Sequence, residues 1–96
     1  MTTPSEYTQF VIAMDKSAPG HHVVHAITGL AGECGEVCQI LTKALRSGRA
    51  VAPLRIKDEL GDCLWFLTRV ATLYGYNLDD VMEHNVRKLQ ERYGSK

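Results

Sequence analysis

Helix-breaking residues divide this chain into four stretches, and each stretch carries the apolar spacing of an α-helix. No stretch alternates as a strand would. Thr3, Pro4, Ser5 and Glu6 form a capping-box pattern with proline at the first helical position. That predicts a first helix from about Pro4 to Met14. Ser17, Ala18, Pro19 and Gly20 make a loop by composition. A second helix is expected from near His22 to the residue before Gly48, with Arg46 in its last turn. Ser47 to Pro53 is the connection. A third helix is expected from about Leu54 to Tyr74, stopping at Gly75. Asn77, Leu78, Asp79 and Asp80 read as an N-cap with acids in the first turn. The fourth helix then runs to about Tyr93 and ends at Gly94. Long helices and short connections predict an all-α, four-helix bundle-like fold.

With 96 residues, one domain spanning residues 1–96 is expected, and its own core must be thin. Hydrophobic residues nevertheless make up 45% of the chain. Some apolar surface is therefore expected to be buried against a second copy. The 11 basic and 11 acidic residues cancel. This argues against broad nucleic-acid or anionic-membrane binding, which needs a basic field. No apolar run is long enough to span a membrane. The N-terminus lacks the basic start and apolar run of a secretory signal. Three cysteines, Cys34, Cys38 and Cys63, then suggest reduced thiols and a cytoplasmic setting.

Two acidic pairs carry the chemistry. Glu33 and Glu36 lie on the second helix, Glu59 and Asp62 on the third. The i, i+3 spacing projects each pair from one side of its helix. With Gly29 at zero, Glu33 and Glu36 fall at about 40° and 340° on a wheel. His25 and Lys43 both fall near 320°, on the same side. Leu30, Cys34, Val37, Cys38, Leu41 and Leu45 cluster at about 80–180° instead, as a separate core stripe. The third helix is apolar nearly all round, through Leu60, Cys63, Leu64, Trp65, Phe66, Leu67 and Val70, which reads as a buried helix. Ionised acids there are costly without a counter-charge. Four converging acids repel one another, and a divalent cation relieves them. Carboxylates without His or Cys suit Mg²⁺, or Mn²⁺ in its place, better than zinc.

Gly29, Gly32, Gly35 and Gly61 interrupt these helices, at roughly 1 kcal/mol each relative to alanine. Close approach of a helix backbone or of a ligand is the expected reason. Cys34 and Cys38 lie on the apolar stripe, so they read as packing rather than zinc ligands. Trp65 and Phe66 read as core or interface, with stacking on a ligand as the functional option. Tyr7 and Phe10 are similarly open between packing and covering a ligand.

The segments 29–37 (Gly-Leu-Ala-Gly-Glu-Cys-Gly-Glu-Val), 58–62 (Asp-Glu-Leu-Gly-Asp) and 85–93 (Asn-Val-Arg-Lys-Leu-Gln-Glu-Arg-Tyr) resemble the motifs of MazG-like nucleoside triphosphate pyrophosphohydrolases. Twenty-two residues separate Glu36 from Glu59, as in that motif, and the resemblance covers roughly Tyr7 to Gly94. Cysteines at 34 and 63 are not part of the family pattern. The resemblance implies Mg²⁺-dependent hydrolysis of a (deoxy)nucleoside triphosphate to the monophosphate and pyrophosphate, in house-cleaning or nucleotide-pool control. It implies that Glu33, Glu36, Glu59 and Asp62 bind the metal, and that the protein works as a homodimer or homotetramer. It also implies nucleotide or phosphate contacts from Asn85 and Lys88. Glu33 or Glu36 is then the carboxylate that takes the attacking water's proton. Lys43 is either a phosphate contact or a surface lysine near a helix C-terminus. His25 is either a base or outer-shell contact, or a core or surface histidine. A specialised dUTP or phosphoribosyl-ATP hydrolase is the alternative within the class. A non-catalytic helical module binding metal or a basic partner is the alternative outside it.

Overall fold

The computed structural model describes residues 1–94. Among them lie four helices and no strand: α1 (Pro4–Met14), α2 (His22–Ser47), α3 (Pro53–Leu73) and α4 (Leu78–Tyr93). Every predicted boundary stands within a residue or so, because each is set by local chemistry. The Thr3 hydroxyl accepts from the Glu6 N–H at 3.1 Å, and the Glu6 carboxylate accepts from the Thr3 N–H at 2.9 Å. This reciprocal pair satisfies donors that a helix start leaves open. Gly48 ends α2 in the left-handed conformation at φ 67°. Gly75 follows α3 at φ 87°, and there the Tyr76 N–H reaches back to the Ala71 carbonyl at 2.9 Å. Side chains with a Cβ adopt that backbone only with strain.

The chain divides into two compact units. One joins Met1–Lys16 to the chain from Thr68 onward, and the other is Ser17–Leu67. In the first, Thr8, Val11, Thr68 and Leu78 are buried. The Thr8 hydroxyl donates to the Pro4 carbonyl at 2.9 Å and accepts from the Leu78 N–H at 3.1 Å. One side chain thereby ties the starts of α1 and α4. The Ser5 hydroxyl adds a bond to the Asp79 carboxylate at 2.8 Å. Arg69 of α3 pairs with Asp15, whose side chain is 1% exposed.

The second unit pairs α2 with α3 in opposite directions. A Cβ added at Gly29 would collide with the Phe66 ring, and Glu33 meets Glu59 and Asp62 four residues further along. The close-approach reading of the glycines therefore holds at Gly29. Beyond its chain neighbours and its own helix backbone, nothing among the described residues lies within 4 Å of a Cβ added at Gly32, Gly35 or Gly61.

Two expectations about burial need correction. Helix α3 is not buried all round: Leu60 and Leu64 are 53% and 40% exposed, and Leu67 is exposed as well. Nor is the α2 stripe covered, since Cys34, Cys38, Leu41 and Leu45 are exposed. Periodicity shows which face of a helix avoids water, not whether its own chain is large enough to cover it. An α2 of 26 residues is about 39 Å long, more than its pairing with α3 inside the Ser17–Leu67 unit covers.

Candidate functional site

Glu33, Glu59 and Asp62 each bring a carboxylate oxygen into one group, with all three oxygens within 4.8 Å of one another. Both helices of the Ser17–Leu67 unit supply it. The i, i+3 step on α3 aims Glu59 and Asp62 at the same level of α2, where Glu33 stands. Glu33 and Glu59 are half-buried and Asp62 is exposed. Burial raises the pKa of the Glu33 carboxyl above the usual carboxylate range, and the charges of Asp62, Glu59 and Glu36 raise it further.

The geometry fits a small hard cation. Oxygens sharing one Mg²⁺ octahedron lie about 3 Å apart when adjacent and about 4 Å apart when opposite, at metal–oxygen distances of 2.0–2.1 Å. Modest side-chain rotation brings three oxygens spread over 4.8 Å into that range. The donors are carboxylates alone, which suits Mg²⁺ or Mn²⁺. Among the described residues no histidine or cysteine joins a group of three such donors.

Glu36 is the member of the expected quartet that stands outside this tight group. It remains close enough for its charge to act on Glu33. It also lines a cavity of about 450 Å³ together with Lys43. One turn beyond Glu33 on the same side, Glu36 stands where the acidic half of the unit gives way to a basic half.

Cys34 and Cys63 sit beside the acids rather than in a core, and Cys38 is exposed. The Cys63 thiol is hydrogen-bonded to Cys34 and pushed up to about 11, by burial first, then by Cys34 and by the charges of Glu33 and Asp62.

His25 is exposed, and its ring meets Phe66 edge-on at 5.6 Å. Trp65 meets Phe66 edge-on at 5.0 Å. On α2 and α3 these aromatic residues lie beyond the acids, on the side away from Lys43. Asn85 and Lys88 are exposed on α4, in the other compact unit.

Sequence reasoning passed over Arg49 and Arg55, which line the same cavity as Glu36 and Lys43. A signal for Arg55 was present. It stands in the first turn of α3, which contains no acid, and a cation there opposes the helix dipole.

No solved structure matches the chain. The Gene 37 protein of Mycobacterium phage L5 is 35% identical over 68 residues, which cover 67% of this chain and 60% of that protein. The matched part is thus under two thirds of that relative's own length. The model of the MazG nucleotide pyrophosphohydrolase domain matches residues 23–95. That span contains both acid pairs, and through it the chain belongs to the MazG nucleotide pyrophosphohydrolase family.

Proposed function

We propose that this protein hydrolyses (deoxy)nucleoside triphosphates to the monophosphate and pyrophosphate with Mg²⁺, as a house-cleaning or pool-control enzyme. The observation that carries the reading is the convergence of Glu33, Glu59 and Asp62 oxygens from two helices in a chain of this family. These three residues, with Glu36 beside them, hold the cation, and Mn²⁺ is a natural substitute. When bound, the ion supplies the positive charge that makes an acidic site attractive to a triphosphate and makes a water more acidic.

The chain's own residues do the rest. Glu33 or Glu36 takes a proton from the attacking water. The water oxygen bonds to the α-phosphorus, the bond from that phosphorus to the α,β-bridging oxygen breaks, and pyrophosphate departs with the bridging oxygen. His25, beside Phe66, faces the nucleoside. Lys43 takes phosphate charge, and Asn85 and Lys88 contact the nucleotide or its phosphates. Replacing Lys88 with alanine is expected to raise KM for the triphosphate. Unchanged kinetics would remove it from the site.

Self-association belongs to the same reading. The apolar side chains left exposed on α2, α3 and α4, including Leu41, Leu60, Leu64, Val86 and Leu89, fit burial against a second copy as a homodimer or homotetramer. Light scattering during gel filtration measures this directly. Among the described residues no helix is long and apolar enough to cross a membrane, and reduced thiols fit a cytoplasmic setting.

The decisive experiment is pyrophosphate release from a panel of NTPs and dNTPs, with Mg²⁺ and with EDTA. Release that requires Mg²⁺, with the monophosphate as the other product, is the expected result. Absence of release from every nucleotide would leave a non-catalytic metal-binding module.

A further inference from the structure

The connection between α2 and α3 holds a concentration of positive charge that the acid cluster does not account for. Lys43, Arg49 and Arg55 line the cavity of about 450 Å³, with Ser47 and Ala52 between them. That volume lies within the roughly 300–1,000 Å³ typical of small-molecule sites. Among the described residues none of the three cations is paired with a carboxylate. The start of α3 opens into the same space, with no acid in its first turn. Its positive end adds to the three cations, and the carbonyl end of α2, whose Ala44 and Ser47 line the same space, offsets part of that gain. Mutual repulsion of this kind persists in a fold when an anion relieves it.

The cavity has a fixed direction relative to the acids. On α2, Lys43 is seven residues beyond Glu36, about 10 Å along the axis. On α3, which runs the opposite way, Arg55 is four residues before Glu59, about 6 Å along the axis. Both steps lead away from the acid cluster toward the connection. His25 and Phe66, which touch edge-on, lie in the other direction along the same two helices. The unit thus presents aromatic rings, then acids, then cations.

We infer that this cavity seats the β,γ-diphosphate of the substrate and the pyrophosphate that leaves, with Arg49 and Arg55 as binding residues. The inference rests on the triphosphate hydrolysis proposed above and adds a polarity to it. The nucleoside lies toward His25 and Phe66, the scissile α,β linkage at the acids, and the leaving group among the cations. Two arginine forks and a lysine match the several negative charges of a diphosphate better than those of one phosphate group.

The test uses the full chain with inorganic pyrophosphate and a nucleoside monophosphate as separate product inhibitors. Arg49→Ala and Arg55→Ala are each expected to weaken pyrophosphate inhibition and raise KM for the triphosphate about tenfold, a typical loss for a charge-assisted hydrogen bond. Monophosphate inhibition is expected to stay unchanged, because that product carries no β,γ-diphosphate. Arg55→Lys, which keeps the charge and the helix, is expected to lie between wild type and Arg55→Ala. If wild type hydrolyses triphosphates but both alanine variants keep wild-type pyrophosphate inhibition, the inference fails and the hydrolase reading stands. Equal weakening by both products also overturns it. If wild type hydrolyses nothing, calorimetric titration with pyrophosphate decides. Binding that the alanine variants lose upholds the anion seat while the hydrolase reading fails, and no binding removes both.

Discussion

The two compact units of this chain differ in what they bury and in which charges they gather. The unit of α1, α4 and the end of α3 holds Thr8, Val11, Thr68 and Leu78, all buried. It also holds the shielded Arg69–Asp15 pair and the capping box. The unit of α2 and the start of α3 has Ala26 as its buried residue among those described. Its remaining resources are spent on like charges held together, glycines inside helices and an arginine against a helix dipole. Each is unfavourable for folding, and each fits the proposed binding of a cation and a polyanion. The contrast teaches that the unit carrying the acid cluster is the one with less buried core of its own.

The largest effect expected from breaking this contrast comes from the acids. Glu36→Gln or Asp62→Asn should cut kcat by at least about a hundredfold, the scale seen when a group acting in the transition state is lost. Far-ultraviolet circular dichroism should stay unchanged. Wild-type turnover in either variant would overturn the metal assignment.

A comparable energy with the opposite consequence is expected in the ordered unit. Asp15→Ala leaves Arg69, whose side chain is 11% exposed, without its partner. Urea unfolding should show a loss of about 3 kcal/mol, while kcat per folded molecule is kept. Gly29→Ala tests the helix pairing next. The added methyl meets the Phe66 ring, and overpacking of this kind costs about 1–3 kcal/mol. Unchanged stability would mean that the two helices separate freely there.

The smallest effect sharpens the comparison most. Because the folded Glu33 carboxyl is raised, it binds a proton more readily folded than unfolded. Its ionised form therefore opposes folding at neutral pH, and the penalty fades as pH falls through the raised folded value toward the ordinary carboxylate range near 4.3. Metal-free Glu33→Gln is accordingly expected to melt slightly above wild type at neutral pH, with the difference shrinking on mild acidification. A lower melting temperature at neutral pH would show that Glu33 helps the fold. Mg²⁺ is expected to raise the wild-type melting temperature and to lose that effect with acidification, as protons compete for the same oxygens.

Much of the architecture was legible in the residues because helix ends are local events. Thr3 with Glu6, Gly48 and Gly75 act on backbone within a few positions, so spacing reveals them. The acid pairs were legible for the same reason, since i, i+3 spacing sets their direction on one helix. Arg69 and Asp15 lie 54 positions apart, and no spacing rule joins them. Arg49 and Arg55 drew no attention because a connection read as mere loop hides the cavity that folding makes of it.

Composition, punctuation and periodicity were enough to establish four helices, their limits and a face of carboxylates on each of two. Only folding decided that Glu33 joins Glu59 and Asp62 while Glu36 stands toward the cations, and that Gly29 makes a close contact where the other helical glycines do not. Only folding also left the α3 leucines and the α2 cysteines open to solvent. The reason is physical. Dihedral preference and side-chain period act along one helix, whereas distance between carboxylates and coverage of an apolar face depend on how a second helix is set against the first.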